Sequence, residues 1–428
     1  MKKMLAAILI FLSVTTYSQS LYFPPLTGNT WETTSPASLG WCADRIDSLY
    51  QFLEEKNSKA FIVLKDGKIV LEHYFGSFTQ DSIWYWASAG KTITGFLVGK
   101  AKEQGYLSLS DSTSKYLGTG WTSCTPEQEG RITIRHQLTM TTGLDDGTGD
   151  VYCTLPSCLL YKAPAGTRWA YHNAPYTLLE EVLTNATSQN INIYTNAVLK
   201  SQTGMNGIWL TVDYNNVYYS NTRSMARYGL LLQNKFKWNT NSLLTDTGYI
   251  NEMLNTSQGL NYAYGYLTWL NGKGSFMTPQ VQMVFPGSYA PAAPADMYAA
   301  LGKNGQIVSV APSKGMVMVR IGDDPSSGDV AFTLCDSIWQ HLNYVMCTSS
   351  IPPRTYTFIG NGNWTNAINW SNGTIPPAVL PAGDQIVIYP LGNNGECILN
   401  TTQTIAAGAK IHVVANKKMT VTGNLVLQ

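Results

Sequence analysis

The sequence predicts an α+β fold whose sheet is built from both ends of the chain, followed by a small all-β unit. Short β-prone runs occur at residues 61–75 and again at 297–321, whereas the segment between them has mostly helical periodicity. Composition changes after Ser349, where Asn, Gly and Thr become common and helical periodicity ends. Strands at both ends of a helical middle are typical of one α+β unit.

The N-terminus has the layout of a secretory signal peptide. Lys2 and Lys3 precede a short apolar run at residues 5–14, and small or polar residues continue to Ser20. The apolar run is too short to cross a membrane, and no later run reaches the length of a membrane span. We therefore expect residues 1–20 to be removed and the protein to be secreted to the periplasm, the cell surface or the extracellular space.

Periodicity and turn residues place the elements of the α+β unit. The predicted helices cover residues 39–56, 88–104, 135–140, 174–185, 220–233 and 329–344. The predicted strands cover residues 61–64, 69–75, 264–270, 297–301, 306–310 and 316–321. Asp66-Gly67 between the first two strands is a strong hairpin signal, and Ser220 is a plausible N-cap for the helix that follows it.

The change in composition divides the chain into predicted domains. After the signal peptide, residues 21–349 form the α+β domain, and residues 350–355, with Pro352 and Pro353, form a linker. Residues 356–428 form an all-β appendage, in which the short β-prone runs suggest a few solenoid-like coils although no clear repeat period is present. Trp364 and Trp370 are expected to be exposed there, which suggests binding to a cell-wall or surface glycan.

Charge and cysteine usage exclude several classes of function. Lys plus Arg number 28 and Asp plus Glu 27, so the net charge of +1 does not favour nucleic-acid binding. The 7 cysteines and 5 histidines have no zinc-type spacing, so we expect no metal and no cofactor. Cys153 and Cys158 bracket a four-residue loop, and in an oxidising compartment we expect them to be bonded. The odd number of cysteines leaves at least one thiol free.

The motif Ser88-Ala-Gly-Lys91 could form a catalytic pair of a serine nucleophile and a lysine base. If Ser88 opens a helix, the serine hydroxyl and the lysine amine lie on one face and can meet. A serine becomes a nucleophile when a base takes its proton, and a buried lysine serves as that base because burial disfavours the ammonium. The motif alone is not specific, because Ser112-Thr-Ser-Lys115 has the same spacing in a polar stretch.

Three longer segments narrow the interpretation. The runs at residues 88–111, 132–144 and 166–179 resemble class C β-lactamases and the related penicillin-binding proteins and esterases. The resemblance covers approximately residues 39–342 and leaves the appendage uncovered. It implies a β-lactamase-like fold, in which an antiparallel sheet is flanked by helices beside a helical subdomain.

The resemblance also implies roles for individual residues. Tyr171-His-Asn173 matches a Tyr-x-Asn element, in which Tyr171, acidified by nearby lysines, moves a proton and Asn173 holds the serine–lysine network or the substrate. Lys303-Asn-Gly305 matches a Lys-Thr-Gly element, with Asn in place of Thr. Lys303 would place a cation near the substrate carboxylate or near Tyr171, and Gly305 would let the substrate approach. The N–H groups of Ser88 and Gln306 would form the oxyanion hole.

The sequence therefore predicts a secreted serine hydrolase that cleaves a small-molecule or peptide ester or amide through an acyl-enzyme on Ser88. Lys91 and Tyr171 both remain candidates for the base. The possible substrates are D-amino-acid peptides, short-chain esters, β-lactams and linear amides. The alternative is an inactive cell-surface or carbohydrate-binding protein on the same scaffold. No Gly-x-Ser-x-Gly motif occurs, which argues against an α/β-hydrolase.

Overall fold

The computed structural model describes residues 21–147, 149–348, 354–371, 373–381, 383–392 and 395–428. The expected signal peptide and most of the expected linker lie outside these residues. The α-helices are α1 Ile46–Glu55, α2 Lys91–Glu103, α3 Ser114–Leu117, α4 Pro126–Gly130, α5 Ile134–Leu138, α6 Asn173–Thr187, α7 Ile191–Thr195, α8 Ser201–Thr203, α9 Thr222–Gln233, α10 Thr247–Leu254 and α11 Phe332–Val345.

Six strands form the main sheet, in the order β2-β1-β13-β12-β11-β8. The strands up to residue 322 are β1 Ser58–Lys65, β2 Lys68–Tyr74, β3 Trp84–Tyr85, β4 Ile208–Val212, β5 Asn215–Ser220, β6 Lys237–Trp238, β7 Asn241–Ser242, β8 Trp269–Leu270, β9 Ser275–Met277, β10 Val284–Pro286, β11 Tyr298–Gly302, β12 Gln306–Ala311 and β13 Met316–Gly322. Strands β1 and β2, from the start of the domain, pair antiparallel in one sheet with β11, β12 and β13, from its end. The α+β prediction, with a sheet built from both ends of the chain, is confirmed.

The β1–β2 hairpin follows from its turn residues. Asp66 and Gly67 both have positive φ, 48° and 84°. Two left-handed residues in succession match a type I′ turn, whose twist suits antiparallel strands. The hairpin therefore forms where the Asp-Gly pair predicts it.

Helices cover both faces of this sheet. The α9 helix approaches β12 closely, because a side chain at Gly229 would meet Val308 and Val317. The next residue of β12, Ser309, accepts a hydrogen bond from Trp339 of α11 at 3.0 Å. Since neighbouring residues of a strand point to opposite faces, α9 and α11 lie on opposite sides of the sheet. The helical middle, built around α2 and α6, stands beside it.

Three elements differ clearly from the sequence prediction. The helix expected at residues 39–56 begins as α1 only at Ile46, after two short 3-10 turns at Ala37–Leu39 and Ala43–Arg45. The strand expected at residues 264–270 is reduced to Trp269–Leu270, and Leu267 has a left-handed φ of 53° that interrupts an extended chain. The N-cap of α9 is Asn221 rather than Ser220, and its side chain accepts from the Ser224 N–H. The Ser220 hydroxyl instead accepts from Trp86 Nε1 at 2.8 Å.

The C-terminal appendage is strand-rich, as predicted. Its strands are β14 Thr355–Phe358, β15 Gly362–Asn363, β16 Val379–Leu380, β17 Gln385–Ile388, β18 Glu396–Leu399, β19 Thr402–Ile405, β20 Lys410–Val413, β21 Lys418–Val421 and β22 Asn424–Leu427. They form three parallel three-stranded sheets, β14-β17-β20, β15-β18-β21 and β16-β19-β22, so that the chain winds through three stacked coils.

The tryptophans of the appendage are buried, so the expectation that they are exposed is wrong. Trp364 is 0% and Trp370 2% exposed, and their ring centroids lie 4.8 Å apart. Trp370 Nε1 also donates to the Trp364 carbonyl at 2.8 Å. Both indoles belong to the buried apolar core of the appendage, so neither ring is available to a ligand at the surface.

Two disulfides lie within the α+β domain. Cys153 is bonded to Cys158 within one loop, and Cys42 is bonded to Cys347 across the two ends of the domain. Cys124, Cys335 and Cys397 are free thiols. No helix in the part of the chain that the structure describes is long and apolar enough to cross a membrane.

Candidate active site

The candidate nucleophile, Ser88, lies in a tight turn that leads into α2. Residues Ala87–Gly90 form one turn of 3-10 helix, and α2 begins at Lys91. Ala87 has a left-handed φ of 46°, an uncommon conformation for a residue with a side chain. Strain of this kind concentrates at functional sites, where the surrounding fold holds it in place.

Lys91 reaches Ser88 directly. Its Nζ donates to Ser88 Oγ at 2.9 Å and to Asn173 Oδ1 at 2.7 Å. The amine also lies 4.0 Å from the centroid of the Tyr176 ring, and the residue is only 2% exposed. Burial lowers the pKa of Lys91 to about 7, against the opposing influence of the Glu180 and Asp329 charges. The amine can therefore be unprotonated near neutral pH.

Tyr171 lies beside the pair but differs electrostatically from the prediction. Its ring is 5.0 Å from Lys91 Nζ and stacks on Trp269 at 5.5 Å. Burial raises the pKa of the Tyr171 phenol, and the neighbouring Ser88 hydroxyl only partly offsets that effect. The expectation that lysines acidify this tyrosine is wrong, because burial is the largest influence on its pKa and no lysine is among the groups that lower it. Tyr171 is a neutral phenol, and its hydroxyl is buried without a hydrogen-bond partner among the described residues.

Lys303 lies at the edge of the cleft. Its amine is 4.0 Å from Asp329 Oδ1, and the two side chains are 57% and 41% exposed. Asp329 Oδ2 in turn accepts from Gln280 Nε2 at 3.2 Å. The cation is therefore paired with a carboxylate of the protein.

The structure contradicts the roles expected for Gly305 and Gln306. A side chain at Gly305 would meet Arg320 at 2.2 Å, so this glycine, with a φ of 82°, serves the turn between β11 and β12 rather than substrate approach. Gln306 is 0% exposed in β12, and its side chain bonds Gly322. Strand β11 separates it from the nucleophile, since Gln306 pairs with Gly302.

Gly302 is the strand residue that contacts the nucleophile turn. A side chain there would lie 3.1 Å from the Ser88 nitrogen and 2.9 Å from the Ala89 nitrogen. The peptide groups of alternate strand residues point to the same side, and the Met297 carbonyl accepts from Asn271 on the outer side of β11. The same alternation implies that the Lys303 N–H points to the outer side of β11, which makes it the candidate second donor to an oxyanion at Ser88.

These groups border a cavity of about 600 Å³. Its walls carry Ser88, Lys91, Asn173 and Lys303, with the tyrosines Tyr85, Tyr152, Tyr176, Tyr214 and Tyr219. A volume of this size is that of a small-molecule pocket. Among the described residues, no cluster of three or more metal-ligating side chains is present.

Comparison with known proteins finds a family match within the α+β domain that carries this site. A family model described as Beta-lactamase matches residues 51–331, more than half of the 428 residues. The chain belongs to the β-lactamase family. Both the resemblance drawn from the sequence and the β-lactamase-like α+β fold are thereby confirmed, and this is a family of serine hydrolases.

Solved structures agree with the β-lactamase fold. A candidate 6-aminohexanoate-dimer hydrolase from Bacillus anthracis has a TM-score of 0.57 at 17% identity, covering 76% of this chain and 91% of that one. A candidate β-lactamase from Bacteroides dorei has a TM-score of 0.53 at 15% identity, covering 72% and 99%. At these identities the similarity establishes the fold alone.

A curated relative from Alkalihalophilus pseudofirmus, an uncharacterized protein, is 28% identical over 158 residues. The match covers 35% of this chain and 43% of the relative, so the chain spans less than half of that protein.

The structure thus brings together Ser88, Lys91, Tyr171, Asn173 and Lys303 of the predicted site, and it leaves Gly305 and Gln306 outside. Sequence reasoning missed Glu180, Gly302 and Asp329. Glu180 lies seven residues after Asn173 on α6, a spacing that puts both on one helix face and could have identified it. Asp329 is brought to the cleft by the tertiary fold, and its neighbours in sequence give no signal.

Proposed function

We propose that this β-lactamase-family chain is a serine hydrolase that cleaves an ester or amide through an acyl-enzyme on Ser88. The observation that carries the proposal is the 2.9 Å contact between Lys91 Nζ and Ser88 Oγ in a buried site. The lowered pKa of Lys91, about 7, supplies a base in its reactive form at neutral pH. Tyr171 has a raised pKa, so Lys91 is the better base.

In the first step, Lys91 takes the proton of Ser88 as Oγ attacks the acyl carbon. The oxyanion that forms accepts hydrogen bonds from the Ser88 and Lys303 N–H groups, and the latter replaces the Gln306 N–H expected from the sequence. The lysine ammonium, or the neutral phenol of Tyr171 relaying its proton, then protonates the leaving group. Water next attacks the acyl carbon of the Ser88 ester and gives a proton to Lys91. Lys91 returns that proton to Ser88 Oγ as the bond between Oγ and the acyl carbon breaks, which releases the acid and restores the free serine.

Asn173 holds the lysine in place for both steps. Its Oδ1 accepts one hydrogen bond from the Lys91 amine. The rest of the amine can then face Ser88 and the leaving group. The asparagine begins α6, so the rigid helix fixes its position.

Covalent labelling tests this proposal. The wild-type protein should bind one equivalent of a fluorophosphonate probe, with the added mass on the tryptic peptide that contains Ser88. Ser88→Ala should bind none, while Ser112→Ala, at the second Ser-x-x-Lys sequence, should bind one equivalent. A wild-type protein that takes no probe would favour the inactive scaffold. A Ser88→Ala variant that still hydrolyses p-nitrophenyl butyrate would refute Ser88 as the nucleophile.

We also propose that the protein is exported. Its two disulfides support an oxidising compartment, as does the signal-peptide pattern of residues 1–20. Glycan binding by the appendage stays a prediction, and it no longer rests on Trp364 and Trp370 because both are buried.

A further inference from the structure

Fixed charge around the cleft bears on which acyl compounds can enter it. Among the described residues that line the cavity, Lys91 and Lys303 are the only lysines or arginines. Lys303 already pairs with Asp329. The same wall carries Asp150 and Asp213, neither of which forms an ion pair within the described residues. The wall therefore has an excess of negative charge.

Cations near the cavity are also committed to the protein. Arg168 pairs with Asp146 at 2.5 Å and Lys162 with Asp145 at 3.3 Å in the neighbouring loop. A substrate carboxylate would have to displace Asp329 from Lys303 or remain unpaired near it. Asp329 is close enough to Lys91, Tyr171 and Tyr152 for its charge to influence all three. A second carboxylate in that volume would be repelled.

We propose that the cleft selects acyl substrates that carry a protonated amine, and no carboxylate, near the scissile carbonyl, with Asp329 as the residue that imposes the choice. This inference rests on the proposed hydrolase function and specifies its substrate class. The tyrosines of the wall add to the selection, since aromatic faces attract ammonium groups and apolar chains alike. Asp150 and Asp213 supply further attraction at the rim.

Three p-nitrophenyl esters of equal acyl length test this selection. The 6-aminohexanoate, heptanoate and adipate monoesters place an ammonium, a methyl group or a carboxylate at the same position. We expect kcat/KM to decrease in that order. In Asp329→Asn the ratio of the amine ester to the carboxylate ester should fall about five- to tenfold, because the charges involved are partly exposed.

Glu54→Gln is the matched control, since this exposed α1 carboxylate does not line the cavity and should leave the ratio unchanged. The proposal is overturned if the wild type hydrolyses the adipate ester as fast as the heptanoate ester, or if Asp329→Asn retains the wild-type ratio. Absence of turnover with all three esters would instead count against the serine hydrolase itself, and the selection would fall with it.

A separate observation concerns a buried carboxyl behind the lysine. Asn173, Tyr176 and Glu180 occupy positions i, i+3 and i+7 of α6 and share one face. Asn173 and Tyr176 both contact the Lys91 amine, and Glu180 Oε1 accepts from Thr94, one turn after Lys91 on α2. Glu180 is 2% exposed, and its Oε2 has no hydrogen-bond partner within the described residues.

We infer that Glu180 is a positioning residue that controls the charge of Lys91. The ionisable groups that face this pair are Tyr171 and Tyr176 from the α6 side and Asp329 from the cleft, and Asn216 of β5 supplies an amide. Burial raises the pKa of Glu180 and lowers that of Lys91, so the two groups share protons near neutral pH. An ionised Glu180 favours the ammonium form of Lys91 and opposes its action as a base.

The pH dependence of kcat/KM tests this inference. In the wild type the acidic limb should have its midpoint near the Lys91 pKa of about 7. Glu180→Gln keeps the size of the side chain and removes its charge, so the limb should move to lower pH. Glu180→Asp should remain near the wild type. A Glu180→Gln variant with lower activity but an unmoved midpoint would assign Glu180 a structural role and overturn the inference.

Discussion

Replacing Lys91 with methionine should reduce kcat/KM for p-nitrophenyl butyrate about a thousandfold, because the base that accepts the serine proton is lost. Methionine matches the length of the buried side chain, so packing against Tyr176 is largely kept. Besides the base, the variant loses the hydrogen bond from Lys91 Nζ to Asn173 Oδ1, which leaves that oxygen without its donor. Steady-state kinetics on a folded variant, checked by its thermal unfolding, measures the effect.

The chain offers a control of the same motif. Lys115 follows Ser112 with the spacing of Lys91 and Ser88, but its side chain is 58% exposed and its amine pairs with Asp111 at 2.9 Å. Lys115→Met should leave kcat/KM within twofold of the wild type, since surface pairs contribute little. A Lys91→Met variant as active as Lys115→Met would mean that another group, such as Tyr171, is the base.

These two lysines illustrate what sequence can predict of this site. The spacing of Ser-x-x-Lys is identical in both copies, and only burial separates a lysine of lowered pKa from a solvated one. Burial depends on residues distant in the chain, here α6 packed against α2. The longer resemblance favoured the copy at Ser88 because it included the residues around the motif. In the structure this is the copy whose lysine is buried and contacts the serine.

The strand that completes the cleft was harder to predict. The sequence correctly indicated strands at residues 297–301 and 306–310, but the match of Lys303-Asn-Gly305 to a known element shifted the expected contact by three residues. In the structure Gly302 lies against the Ser88 nitrogen, and Gly305 turns under buried Arg320. The close approach of two backbones is a tertiary property, and both glycines fit the local pattern equally well.

The repeating structure of the appendage was also hard to predict from the sequence. Its β-rich composition was readable, but no repeat period was, because the coils differ in length: Thr355 pairs with Gln385, 30 residues on, and Gln385 pairs with Lys410, 25 residues on. Loops of unequal size between the strands hide the repeat. The burial of Trp364 and Trp370 likewise depends on closure of the first coil rather than on neighbouring residues.

Replacing Lys410 with methionine should destabilise the protein by about 3 kcal/mol, the cost of leaving a buried carboxylate without its cation. Lys410 begins β20 in the appendage and forms an ion pair with Asp336 of α11, whose side chain is 0% exposed. This pair joins the two parts of the chain at a point where the carboxylate is fully buried and the lysine side chain is 23% exposed. Urea unfolding followed by tryptophan fluorescence measures the loss of stability.

Two further variants isolate the charge from the packing. Lys418→Met removes an appendage lysine whose partner is Glu396 and whose side chain is 68% exposed, so it should change stability by less than about 0.5 kcal/mol. Asp336→Asn added to Lys410→Met should recover most of the loss, because asparagine removes the unpaired charge and keeps an oxygen for the Ala292 N–H. If Lys410→Met were as stable as Lys418→Met, the pair would not hold the appendage to α11, and the two parts would be joined through the chain and their apolar contacts alone.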